Sequence, residues 1–493
     1  MQSTRSHNPK KLKTMCNNQR LTWVGLVTLV ALLNSACSVP RLAGRTEENK
    51  RVPATYNNVQ DTTNTARTRW RDYFTDPNLA ALIDTALYNN QELNITLQDI
   101  QIANNEILAR KGAYLPFVTV GGGSGVEKVS RYTSRGAADA YTEIKPGKPT
   151  PDILPNTYIG AFASWEVDIW HKLRNAKKAA VASYASSVEG KNFLVTNLVA
   201  DIANSYYELM ALDNQLDIVQ RNITILTNAL SIIRQEKEAA KVTELAVRRF
   251  EAEVFKTQSL QYEIQQKIVE TENRINFLMG RFPQHVQRSS QNFSESMPAK
   301  IQAGVPQQLL ENRPDVRQAE WNLQAAKLDV NVAKAEFYPS LRLSASLGVM
   351  AFNPLYLATT PESLIASLLG DLVGPVINKN AIMATYKSAN AKQIQAVYNY
   401  ERTVLNAYIE VTNQLSNIGN LEKKYSMKNN QVQALTQSTN ISLKLFTSAR
   451  ADYMEVLLTQ RDVLESRMEL IDTRMQQMNA LVNTYRALGG GWN

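Results

Sequence analysis

Two long stretches of the chain keep apolar residues at helical spacing with no helix breaker between them. From Asn156 to Phe282 there is no proline, and from Val376 to Asn493 there is again none. Ile218, Ile225, Leu226, Ile232 and Ile233 in the first stretch, and Val456, Leu457, Val463, Leu464 and Leu470 in the second, recur among Gln, Asn and Lys. This pattern predicts long amphipathic helices that pack side by side to cover their apolar stripes. Each stretch holds one reversal, at Ala240-Lys241-Val242-Thr243 and at Ala449-Arg450-Ala451-Asp452. A helix of roughly 65 residues before such a reversal would be about 100 Å long, more than an ordinary globular core needs.

Ahead of each helical stretch the period changes from 3.6 to 2. Leu341-Arg342-Leu343-Ser344-Ala345-Ser346-Leu347 alternates apolar and polar, as a strand greasy on one face and wet on the other does. That region ends near Gly374-Pro375. Its counterpart runs from Phe117-Val118-Thr119-Val120 and returns through Tyr158 to Trp165, with the polar, proline-containing residues 126–157 between as a surface loop. The halves align on each other. Asn204-Ser205-Tyr206-Tyr207-Glu208 answers Asn406-Ala407-Tyr408-Ile409-Glu410 at an offset of 202, and Ala240 answers Ala449 at 209. The difference of 7 is about two helical turns, so the helix faces keep register. The chain reads as a duplicated unit of helix, β-hairpin and helix pair.

Two hairpins supply four strands, too few to close a barrel, and an open sheet in lipid leaves edge groups unpaired at several kcal/mol each. Several copies must each contribute four strands, and three copies give twelve. With Leu341, Leu343 and Leu347 toward lipid, Arg342, Ser344 and Ser346 would line the lumen.

Composition sharpens this picture mainly at the N-terminus. The chain has 493 residues, 44% of them hydrophobic, enough for a large core. Residues 1–20 carry Arg5, Lys10, Lys11, Lys13 and Arg20 and no acid, followed by an apolar run from Leu21 to Leu33 and then Asn34-Ser35-Ala36-Cys37. This is an export signal, too short to span a bilayer permanently. Without those five basic residues the formal charge of +9 becomes +4, which removes any hint of nucleic-acid binding. The two cysteines are Cys16, inside the leader, and Cys37, so no disulfide is expected. Cys37 resembles the acylated cysteine of a bacterial lipobox, and Ser38 beside it resembles the outer-membrane sorting pattern. Asn34 stands where a lipobox mostly has Leu, and ordinary cleavage beside a bystander Cys37 is the alternative.

Five runs carry a family resemblance: Trp70-Arg71-Asp72-Tyr73-Phe74-Thr75-Asp76-Pro77-Asn78-Leu79, Trp165-Glu166-Val167-Asp168-Ile169-Trp170, Glu311-Asn312-Arg313-Pro314-Asp315-Val316-Arg317-Gln318-Ala319-Glu320, Ala335-Glu336-Phe337-Tyr338-Pro339-Ser340-Leu341 and Tyr485-Arg486-Ala487-Leu488-Gly489-Gly490-Gly491-Trp492. In this order they resemble the TolC-like outer-membrane efflux proteins, in the lipoprotein subgroup that serves resistance-nodulation-division pumps. The resemblance covers nearly the whole mature chain. It implies a mixed α/β membrane protein: a homotrimer whose twelve-stranded transmembrane β-barrel, four strands per chain, continues into a twelve-helix periplasmic α-barrel closed at its lower end. It also implies docking on a periplasmic adaptor and an inner-membrane transporter that supplies the energy.

The expected organisation is a signal over 1–36, a lipid-anchored extended segment over 37–69, a first repeat over 70–290 and a second over 291–493. The family has Gly at its helix reversals; here Ala240 and Ala449 stand there, so either the bend shifts by a residue or its geometry differs. Asp452 is a candidate for an acidic ring at the closed end, and Arg450 and Lys241 for contacts that latch the tip or receive the adaptor; solvated turn charges are the plainer reading. Arg313-Pro314-Asp315 reads as a helix start. Met454, Met468, Met475 and Met478 could bind a soft metal, but among apolar neighbours they read as packing. No Cys/His cluster, nucleophile elbow or phosphate-binding glycine loop occurs, so neither an enzyme nor a cofactor is expected. The readings that stand are a small-molecule efflux duct, an exit duct for secreted proteins, and a periplasmic coiled-coil scaffold without a pore.

Overall fold

The computed structural model describes residues 39, 40, 42, 44, 47–56, 63–293, 297, 298, 301–375, 377–448 and 450–492. The export signal, Cys37 and Ala449 lie outside the described residues.

In chain order the main elements are α1 (Pro77–Asn89), α2 (Gln91–Tyr114), β1 (Phe117–Lys128), β2 (Ile153–Val167), α3 (Lys172–Glu238), α4 (Glu244–Leu278), α5 (Pro314–Ala335), β3 (Ser340–Ala351), β4 (Leu364–Val373), α6 (Asn380–Thr447) and α7 (Tyr453–Ala487). Helix, strand pair, very long helix and shorter helix thus follow one another twice. With 67 and 68 residues, α3 and α6 are each about 100 Å long. Local signals set several helix starts. Asp76 accepts from the backbone N–H groups of Asn78 and Leu79 ahead of Pro77, and Pro314 opens α5 where its missing N–H costs nothing.

The contacts divide the chain into two compact units. The first, built from 103–184 and 323–396 with residues 39, 40, 42 and 44, contains a four-stranded antiparallel sheet in the order β1-β2-β3-β4. Both strand pairs therefore lie in one sheet, joined by β2 against β3 from Thr157↔Ala351 to Val167↔Leu341. Its small core joins Ala333, Phe337 and Tyr386 with Val39 and Leu42 packed on them.

The connection from β1 to β2 departs from a plain surface loop. It holds a helix, Ser134–Tyr141, and a two-stranded ribbon, Glu143–Lys145 against Lys148–Pro149. Arg131 organises it, donating to Asp152 Oδ1 and to the carbonyls of Gly136 and Thr150. Pro155 is tolerated in β2 because it pairs with Val126 before β3 joins the other side.

The second unit comprises 47–102, 185–322 and 397–493. Its principal core brings Trp70, Tyr73, Leu79 and Ile83 against Ile202, Tyr206 and Met210 of α3, with Val482 and Tyr485 of α7. The rings of Tyr73 and Tyr485 stack at 4.3 Å, so the run that opens the domain and the run that closes the chain meet in one place. Farther along, Leu226, Leu230 and Ile233 of α3 pack on Val247, Phe250 and Val254 of α4. Of the apolar stripe read in the sequence, Leu226 and Ile233 are buried in this contact, whereas Ile225 and Ile232 are 48% and 51% exposed on the other side of the helix; a fully buried residue such as Phe250 contributes about 1.5–3 kcal/mol by leaving water.

Candidate functional site

The register of the sheet sorts its side chains into two unlike faces, because directly opposite residues in antiparallel strands point the same way. On one face Val120, Ala161, Leu347 and Ala366 form a row, as do Val118, Ala163, Ala345 and Leu368, and Trp165 stands opposite Leu343. Many of these apolar groups are open: Val120 is 81% exposed, Leu347 63%, Leu368 79% and Leu372 68%. An apolar surface of this extent, unbroken across four strands, marks a membrane or partner surface rather than one facing water.

The opposite face reads as cross-strand levels. The first is Glu166, Arg342 and Asp371; the second Ser164, Ser344 and Leu369; the third Phe162, Ser346 and Ser367; the fourth Gly160, Gly348 and Ile365. The hydroxyls of Ser346 and Ser367 lie 2.8 Å apart. At Gly348 an added Cβ would stand 2.4 Å from the Ile159 carbonyl oxygen, so the backbones approach more closely there than a side chain permits. Arg342, Ser344 and Ser346 thus share the face away from Leu341, Leu343 and Leu347. Among the described residues the outer edges of β1 and β4 carry no partner strand in the sheet.

At the end of the sheet two of the sequence runs clasp one another. The Asp168 carboxylate accepts from Leu173 N–H at 3.0 Å and Arg174 N–H at 2.9 Å, capping α3. The Trp170 indole stacks on Tyr338 at 4.7 Å and donates to the Pro339 carbonyl at 2.8 Å. Trp165 donates to the Tyr114 carbonyl at 3.1 Å. Sequence reasoning found both runs but not that they meet, since no local signal links segments so far apart.

The helix reversals belong to the second unit. Ala240 has φ +56°; its N–H donates to the Lys237 carbonyl, and that of Lys241 to the Glu236 carbonyl, both at 2.9 Å. This is the Schellman arrangement, which Gly280 (φ +65°) and Gly489 (φ +92°) also adopt after α4 and α7. Neither expectation for this bend, a shift by a residue or a different geometry, holds at Ala240: the left-handed conformation stays in place and alanine adopts it. Across this reversal Lys237 pairs with Glu244 at 2.5 Å, Arg248 with Glu244 at 2.8 Å and Arg234 with Glu251 at 2.7 Å. At the second reversal Asp452 precedes α7 without a side-chain cap bond. Asp452, Arg450 and Lys241 are all exposed.

Arg313 is structural. Its buried guanidinium donates to both oxygens of Asp315, to Glu410 at 2.8 Å and to the Ala487 carbonyl at 2.6 Å. Burial works against its charge, but the bonds to Asp315 and Glu410 outweigh it and hold its pKa above the usual arginine range. The methionines are dispersed: Met478 is buried in the principal core with Met475 against it, Met468 packs in another cluster, and Met454 accepts from Arg249. Among the described residues no group of His, Cys, Asp and Glu has metal-site geometry, and no helix is long and apolar enough to cross a membrane.

Comparison with known proteins agrees with this arrangement. A family model described as "Outer membrane efflux protein" matches residues 82–281 and 305–490. The solvent efflux pump outer membrane protein SrpC of Pseudomonas putida is 27% identical over 435 residues, 87% of this chain and 88% of that one. The probable outer membrane lipoprotein SilC of Salmonella typhimurium is 24% identical over 449 residues, 90% of this chain and 91% of that one. A crystal structure of CusC superposes with a TM-score of 0.80 at 23% identity, covering 91% of this chain and 100% of that one; at that identity the likeness speaks for the fold.

Proposed function

Because the chain belongs to the outer membrane efflux protein family, we propose that it is the passive exit duct of a three-part pump, formed by three copies that close their sheets into one twelve-stranded barrel. It is an outer-membrane efflux protein and not an enzyme. The observation that carries the proposal is the sheet: four strands with one apolar face, one largely polar face and two open edges. In lipid each unpaired edge group costs several kcal/mol, and transmembrane barrels have at least eight strands. The strands alternate in direction, so β4 of one copy meets β1 of the next antiparallel, and the third junction closes the ring.

In this reading Leu341, Leu343 and Leu347 face lipid, while Arg342, Ser344 and Ser346 line the water-filled lumen. The two sequence repeats supply four helices per copy to a twelve-helix periplasmic tube. Asp452, Arg450 and Lys241, beside the reversals at Ala449 and Ala240, form the tip that closes the tube and receives the adaptor. Acylated Cys37 anchors the chain to the membrane. The cargo is small molecules, delivered by an inner-membrane transporter of the resistance-nodulation-division class through the periplasmic adaptor. A scaffold without a pore would leave the exposed apolar face without a purpose.

Single cysteines test the two faces, since Cys37 is the only other thiol after leader removal and carries the acyl group. In vesicles, S344C and S346C react with a charged, membrane-impermeant maleimide, while L343C and L347C stay protected until detergent is added. Equal labelling of both sets would contradict the assignment.

A further inference from the structure

The charged residues of the sheet's polar face gather in one cross-strand level. Glu166 on β2, Arg342 on β3 and Asp371 on β4 stand directly opposite one another. Opposite side chains in antiparallel strands have Cβ atoms about 5 Å apart, so Arg342 has an acidic residue opposite it on each neighbouring strand. At the outer flank Lys172 Nζ, at the start of α3, lies 3.9 Å from Glu166 Oε1. The sign alternates along the level: Lys172, Glu166, Arg342, Asp371. The next three levels carry hydroxyls, apolar groups and glycines and no charge. The remaining strand charge on this face, Glu127 at the far end of β1, is met by Arg135 at 3.3 Å.

A ring of one sign in a water-filled pore imposes a preference for the opposite ion. A ring of alternating sign suppresses that preference while keeping the wall hydrated. We propose that Glu166, Arg342 and Asp371, with Lys172, form a charge-balanced belt that lets the duct pass anionic and cationic cargo alike, Arg342 and Asp371 offsetting one another. The inference rests on the proposed duct with this face inward. It names what that lumen does not discriminate, the sign of the cargo's charge. The competing role for the same residues is a latch that only holds β2, β3 and β4 together; a latch changes assembly, whereas a belt changes ion preference.

Reversal potentials separate the two. The full mature protein, R342Q, D371N and the double variant R342Q/D371N are measured in planar bilayers under a KCl gradient. R342Q raises the potassium-to-chloride permeability ratio about two-fold, D371N lowers it by a similar factor, and the double variant returns near the wild-type value. The shifts shrink as salt rises well above 0.1 M, where the Debye length falls below about 10 Å. The swapped pair R342D/D371R keeps both charges and reads as wild type. Conducting variants with unshifted potentials overturn the belt and leave the duct standing. Single variants that fail to assemble while the swap assembles make the level a latch and also overturn it. Absence of conductance in the unaltered protein defeats the duct itself.

Discussion

At the scale of single residues, the reversal after α3 shows a backbone demand met by a side chain that does not suit it. Ala240 takes the left-handed conformation that Gly280 and Gly489 take elsewhere in the same chain. A Cβ in that region costs on the order of 1 kcal/mol, while glycine adopts it without strain but gives the unfolded chain more freedom. A240G is therefore expected to stabilise the protein by about 0.5 kcal/mol or less net, read as a small rise in the unfolding midpoint, where A240V lowers it. A fall with A240G would show that the conformation is not what limits the turn. The place of this bend was legible in the sequence, at Ala240-Lys241-Val242-Thr243. Its φ was not, because alanine gives no signal for the left-handed region. The anchoring by Arg313 was half legible: Pro314 and Asp315 announce a helix start, but the bonds to Glu410 and the Ala487 carbonyl come from segments far along the chain.

At the scale of elements, periodicity carried most of the information. The alternation over 341–347 is what a strand with one wet face writes into a sequence, and the proline-free stripes are what long packed helices write. The pairing of β2 with β3 was not written locally, because it joins segments separated by the whole of α3 and α4. Nor was the helix in the β1–β2 connection, whose polar residues fold around Arg131 instead of burying an apolar face.

The packing of the opening and closing segments on α3 has a consequence at high pH. Burial holds the phenols of Tyr73, Tyr206, Tyr207 and Tyr485 above their ordinary range. Raised folded-state values mean the folded form binds these protons more tightly. Their stabilising contribution is complete below the unfolded value near 10 and is lost as pH climbs beyond it. An absorbance titration at 295 nm should show the exposed tyrosines ionising first and this group ionising only together with unfolding. Smooth ionisation of every tyrosine near pH 10 without unfolding would contradict the packing.

At the scale of the whole molecule, the described strands of one chain form a sheet with one apolar and one largely polar face. Among the described residues this sheet has four strands, fewer than the proposed barrel needs, and family membership places the chain among outer-membrane efflux proteins. Charge, hydroxyl and glycine levels on the polar face, and tip charges at the reversals, are where such a duct would meet its cargo and its partners. The sequence could not name the cargo, because a wide wet lumen makes few selective contacts. The most direct measurement is single-channel conductance of the purified mature protein in a planar bilayer, taken together with its mass in detergent. The expected result is a trimer that is mostly closed, opens in discrete steps and opens more often when Asp452 is replaced by Asn. A monomer that conducts nothing would contradict it.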